Sequence, residues 1–148
     1  MPSSYDVIHN ENYEIELCNI NTDDLVLETT IDEADLTGLG HIKITIYNSE
    51  AYRYPHFHII KGKEKVSCIC IFEPRYFAHG EYRSTLNSKQ RKQLDYVLRM
   101  PNQNKPEKTN WEAIRDFWLI NNDKNGIYKN KARSKQPDYT KLSEFIQE

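Results

Sequence analysis

Glycine and proline are scarce, with 5 and 6 residues in a chain of 148. That scarcity excludes a collagen-like or low-complexity chain. It also leaves too few glycines for a phosphate-cradling loop, and Walker A, GxGxxG and GxSxG patterns are all absent. Cysteine is limited to Cys18, Cys68 and Cys70, an odd count with two residues spaced CxC, so no disulfide framework is implied. No apolar run approaches the roughly 18–20 residues that span a bilayer. The N-terminus, MPSSYDVIHNENYE, has neither the basic nor the apolar region of a secretory leader. These absences predict a soluble, reduced, cytoplasmic chain without a membrane segment.

Lysine and arginine are missing altogether from residues 1–40, which hold ten acids, among them Asp23, Asp24, Asp32 and Glu33. The overall net charge of −2 therefore hides a balance of +8 over residues 41–148. A division of this kind is informative about partners and internal contacts, not about fold.

What is present predicts one α+β domain over residues 1–148, with an acidic strand-rich segment at 1–40, a core at 41–122 and a basic tail at 123–148. Tyr13–Ile20 alternates Ile15 and Leu17 with Glu14 and Glu16, the period of a strand. Leu25–Ile31 is a second strand, and DEADLTGLG holds one helical turn. His41–Tyr47 alternates again, and Pro55–Lys61 with Lys65–Phe72 reads as a hairpin around KGKE. The period then lengthens. Ser88 caps a helix that carries Leu94, Val97 and Leu98 and stops before Pro101. Thr109 or Asn110 caps a second helix with Trp111, Ile114, Phe117 and Trp118 on one broad stripe. LSEFIQE adds a final helical turn. Strands followed by helices predict an antiparallel sheet of four to five strands with two helices on one face.

The densest chemistry lies in Tyr54-Pro55-His56-Phe57-His58-Ile59-Ile60, where residues two apart in a strand place His56 and His58 side by side. Two such imidazoles can ligate a metal or move protons near neutral pH. The hairpin register decides between these uses. A two-residue turn at Gly62-Lys63 sets His58 opposite Ser67 and Phe57 opposite Cys68, gathering Phe57, Ile59, Val66, Cys68, Cys70 and Phe72 on one apolar face. A three-residue turn sets His58 opposite Cys68 and His56 opposite Cys70, the makings of a Cys2His2 zinc cluster. A one-residue slip flips every side chain, so the apolar pattern selects the first register. The thiols then become small core residues, and neither a metal nor another cofactor is predicted.

At PHFH the chain becomes recognisable. The stretch HIKITIYNSEAYRYPHFHIIKGKEKVSCICI resembles a small, uncharacterised bacterial family whose members carry a strand, a short break, a PPHFHV-type strand and its hairpin partner. The Leu94/Val97/Leu98 helix and the Asn110-Trp111 helix are similar to that family's amphipathic helix and its terminal NW-containing helix. The resemblance covers about residues 41–122; Tyr54 stands where the family has its first proline, and the linker between helices is longer. It implies an α+β fold and a bacterial or mobile-element origin, since some relatives sit near toxin–antitoxin genes. It implies no established activity, and it carries the histidine pair over as His56 and His58, a site without an assigned role.

Three functions are compatible with these residues. The leading one is a non-catalytic accessory protein, bacterial or phage-borne, that binds a protein partner through the acidic surface of Asp23, Asp24, Asp32 and Glu33. The second is a phosphodiesterase or nuclease in which His56, His58 or His79 moves protons while Arg53, Arg75 or Arg83 holds a phosphate. The third is nucleic-acid binding by the basic tail, where Lys124, Lys129, Lys131, Arg133, Lys135 and Lys141 follow a phosphate backbone and Tyr128 and Tyr139 stack on bases. No helix-turn-helix, zinc-finger or RNP motif accompanies that tail.

Overall fold

The computed structural model describes residues 4–10, 13–20, 24–31, 41–47, 54–102, 105–123 and 125–147, with side chains at Ile44, Ile46 and from residue 54 onward. Eight strands form one sheet whose spatial order follows the chain. They are β1 (Ser4–Asn10), β2 (Tyr13–Ile20), β3 (Asp24–Ile31), β4 (His41–Tyr47), β5 (His56–Lys61), β6 (Glu64–Cys70), β7 (Arg75–Ala78) and β8 (Ser143–Gln147). Two helices, α1 (Ser88–Arg99) and α2 (Asn110–Asn122), lie between β7 and β8 in sequence.

The α+β class therefore stands, with two corrections. The sheet is mixed, because every neighbouring pair from β1 to β7 is antiparallel but β8 runs parallel to β7. A parallel neighbour needs a crossover, and the two helices with their loops provide it. The strand count is eight, not four to five, because three short elements escape a periodicity reading. Ser4–Asn10 carries no strong alternation, Arg75–Ala78 is only four residues long, and LSEFIQE is β8 and not a helical turn. The DEADLTGLG turn lies outside the described residues.

The helix boundaries follow from capping chemistry. Asn87, one residue before the predicted Ser88, caps α1: its side chain accepts from the Gln90 N–H while Gln90 Oε1 accepts from the Asn87 N–H at 2.8 Å. Thr109 and Glu112 form the same reciprocal pair at α2. Pro101 ends α1, since its ring cannot continue a helical ladder. A buried amide link then ties the helices together: Asn110 Nδ2 donates to the Val97 carbonyl at 2.9 Å and Asn102 Nδ2 donates to Asn110 Oδ1 at 3.3 Å.

Both helices cover one face of the sheet. Ile44, Ile46, Phe57, Ile59, Ile69, Ile71 and Tyr76 meet Leu94, Val97, Leu98, Trp111, Ile114 and Trp118 in the main core. Each such side chain contributes about 1.5–3 kcal/mol by leaving water. Tyr139 enters this core from the C-terminal segment and is fully buried. Its hydroxyl donates toward the Cys70 and Ile71 carbonyls and accepts from Trp111 Nε1 at 3.1 Å. The predicted base-stacking role for Tyr139 is thus overturned, because its ring is spent on the core. Tyr128 is half-buried and packs edge-on against Trp118 and Tyr54.

Candidate functional site

The site begins with the β5–β6 hairpin. Gly62, at φ 64°, opens a two-residue turn, and Lys61 pairs with Glu64 and Ile60 with Lys65, as the two-residue turn predicts. One step further the register shifts. Ile59 pairs with Ser67, His58 with Cys68, Phe57 with Ile69 and His56 with Cys70. Val66 is the extra residue of a β-bulge, and from there on every β6 side chain changes face.

This overturns the register selected from the apolar pattern. Val66 packs against the helix-covered core along with Phe57, Ile59, Ile69 and Ile71, while Cys68 and Cys70 join a second cluster on the opposite face with Phe77 and Tyr82. That is the face of His56 and His58. The bulge is secured by Ser67, a buried residue whose hydroxyl donates to the Ser84 carbonyl.

On this second face the rings of His56 and His58 lie 4.7 Å apart between centroids, inclined by 73°. His79, from the loop after β7, stands 5.2 Å from His56 and 5.6 Å from His58. Phe77 closes against His56 at 4.7 Å and Tyr82 against His58 at 4.8 Å. His56 and His58 are 0% and 1% exposed, and Cys68 is 1% exposed. His79 is half-buried and marks the rim. The donor atoms of His56, His58 and Cys68 all lie within 4.8 Å of one another.

Second-layer contacts orient this group. His56 Nδ1 sits 2.6 Å from the Tyr54 carbonyl, a bond that requires the proton on Nδ1 and leaves the Nε2 lone pair directed elsewhere. The Tyr54 hydroxyl donates to Glu73 Oε1, and burial followed by that carboxylate raises the phenol well above its ordinary range. Burial pushes the Cys70 thiol up to about 12, with Glu73 adding to the effect and Arg75 opposing it.

The three predicted catalytic histidines are thus brought together, but Arg75 and Arg83, two of the three arginines assigned to phosphate binding, are engaged elsewhere. Arg75 pairs with Glu73 at 3.4 Å, Arg83 Nε donates to the Gly80 carbonyl at 2.7 Å, and Arg53 lies outside the described residues. Phe77 and Tyr82, which line the histidine group, carry no sequence signal beyond being aromatic. On the acidic segment, Asp23, Asp32 and Glu33 lie outside the described residues, and Asp24 begins β3 opposite Ile20 and Tyr47.

The basic segment is an ordered surface. Lys129, Lys131, Arg133 and Lys135 are all exposed. Arg115 donates to the Ser134 carbonyl at 2.9 Å, Gln136 Nε2 donates to Asp95 Oδ1 at 3.0 Å, and the Tyr139 N–H donates to the same carboxylate at 3.0 Å. None of the four cations forms an ion pair among the described residues. Ile127, just before them, is 69% exposed.

Fold and site together define a small α+β protein with a buried histidine–cysteine group on one sheet face and a basic ridge beside the helices. No family model, curated protein or solved structure matches the chain. No described helix is long and apolar enough to cross a membrane.

Proposed function

We propose that the protein is a non-catalytic accessory protein that binds an acidic protein partner on the ridge of Lys129, Lys131, Arg133 and Lys135. The observation that carries this reading is four exposed cations within seven residues, on a backbone fixed to the core and next to an exposed isoleucine. A surface ordered before binding loses less conformational entropy when a partner docks. The neighbouring Ile127 favours a protein over a nucleic acid, because a phosphate backbone offers an aliphatic side chain nothing to pack against. This reading assigns the partner to the basic segment, in place of the acidic surface of Asp23, Asp24, Asp32 and Glu33 expected from the sequence. Deep burial of His56 and His58 weighs against the phosphodiesterase reading, since a phosphodiester must reach its general base.

The test is photo-crosslinking in the host that makes the protein, with a photoreactive amino acid in place of Ile127. Adducts with an acidic protein are expected, and they should disappear when Lys129, Lys131, Arg133 and Lys135 are all changed to Glu. Adducts with nucleic acid alone would move the assignment to the third reading. Protein adducts that survive the charge reversal would end the proposal.

A further inference from the structure

We propose that His56, His58 and Cys68 form a zinc centre, with His79 at the rim as the fourth ligand. The proposal stands on its own geometry and does not depend on the basic ridge.

Four observations converge on it. First, two imidazoles and one thiol are a donor set suited to zinc, whereas calcium and magnesium require oxygen ligands that the group lacks. Second, tetrahedral zinc with ordinary bond lengths separates its ligand atoms by roughly 3.3–3.6 Å. The donor atoms here already lie within 4.8 Å, so side-chain rotations of about an ångström close the site without moving the sheet. Third, His56 gives its Nδ1 proton to the Tyr54 carbonyl, the usual way a backbone oxygen fixes the tautomer of a zinc-bound imidazole. Nε2 is then the ligating atom.

The fourth observation is the bulge itself. A regular ladder from the Gly62-Lys63 turn would have sent Cys68 to the opposite face, and the extra residue Val66 interrupts that ladder and turns the thiol toward the histidines. Bulges recur where a strand must re-aim a side chain for a site. Packing alone would be served equally well by an aliphatic residue at 68. Cys70 lies outside the group of converging donor atoms, so it is assigned no ligating role.

Binding converts the Cys68 thiol to a thiolate; the S–H bond breaks, an S–Zn bond forms, and the proton passes to buffer. The test uses the full chain, reduced and stripped by a chelator. Cobalt(II) added to it should produce visible d–d bands and a near-ultraviolet sulfur-to-cobalt charge-transfer band that saturate at one equivalent. Zinc should bleach both, and calorimetry in buffers of different ionisation enthalpy should show about one proton released per zinc near neutral pH.

Cys68→Ser should lose the charge-transfer band while Cys70→Ser keeps it, and His79→Ala should weaken binding about tenfold or more. The wild-type titration needs no variant to fold. Failure of the wild-type chain to take up one equivalent of cobalt or zinc would overturn the proposal. So would a charge-transfer band that persists in Cys68→Ser and vanishes in Cys70→Ser.

Discussion

His58 and Cys68 stand directly opposite each other across the β5–β6 hairpin, and one inserted residue, Val66, puts them there. Removing that residue should leave a regular two-residue hairpin that keeps the same partners, Ile59 with Ser67, His58 with Cys68 and Phe57 with Ile69. Ile69 and Ile71, both fully buried on the helix side, would still face the core. Deletion of Val66 is expected to cost about 1–3 kcal/mol, for the lost valine packing and the Ser84 N–H bond to its carbonyl, and Val66→Ala, which keeps that bond, about 1–2 kcal/mol. Urea unfolding of the two variants checks this, and loss of the cooperative transition in the deletion would show that the bulge itself holds the two strands in register.

The same bulge explains how far this hairpin was legible in its sequence. The turn and its first two pairs follow from Gly62-Lys63, and the helices follow from Leu94, Val97, Leu98, Trp111, Ile114 and Trp118 at their spacing. The face of Cys68 did not follow. Both faces of β6 carry apolar side chains, so a one-residue slip leaves a plausible apolar set in either register. The signal was present in Ile69 and Ile71, which pack with Phe57 better than cysteines do, but it competes with Val66 two positions before Cys68. β8 was hidden for a different reason. Four of its five residues pair in parallel with a strand more than sixty positions earlier, a long-range contact that no local period announces.

Tyr139 predicts how the protein responds to alkali. Burial raises its phenol well above the ordinary value near 10, with the Trp111 hydrogen bond opposing that rise. In the unfolded chain the same phenol ionises near 10, so its neutral form favours folding fully below that pH and less as the pH climbs above it. Stability should therefore fall above about pH 10, with a slope approaching about 1.4 kcal/mol per pH unit from this group. Tyr139→Phe should lose about 1–2 kcal/mol at neutral pH, through the Cys70 and Ile71 carbonyls it strands, and should show a shallower alkaline decline. Urea midpoints at pH 8, 9.5 and 10.5 compare the two, and parallel declines would deny Tyr139 this role.

Asp95 holds the basic ridge in place. Its carboxylate accepts from Arg99 at 2.8 Å, from Gln136 at 3.0 Å and from the Tyr139 N–H at 3.0 Å, bridging α1 to the C-terminal segment. Asp95→Ala removes all three bonds and is expected to cost about 1–3 kcal/mol. Because the loss falls on the ridge's attachment, amide exchange over residues 129–141 should accelerate far more than exchange in α2. Uniform acceleration across both segments would mean that Asp95 supports the whole fold and not the ridge in particular.

Truncation after Asn122 is the decisive measure of what the basic segment is. A solvated tail could be removed with little effect on stability. Here removal would strip the core of Tyr139 and Leu142, leave a large void beside Trp111 and Phe57, and expose the β7 edge that β8 now covers. Losing one buried aromatic costs about 3–5 kcal/mol, and a domain of this size has only about 5–15 kcal/mol to lose. The shortened chain is thus expected to be unfolded or aggregated, with no cooperative thermal transition. A cooperative transition within a few degrees of the full chain's would return the segment to the status of a tail, and the ridge would lose the fixed backbone on which its proposed binding role rests.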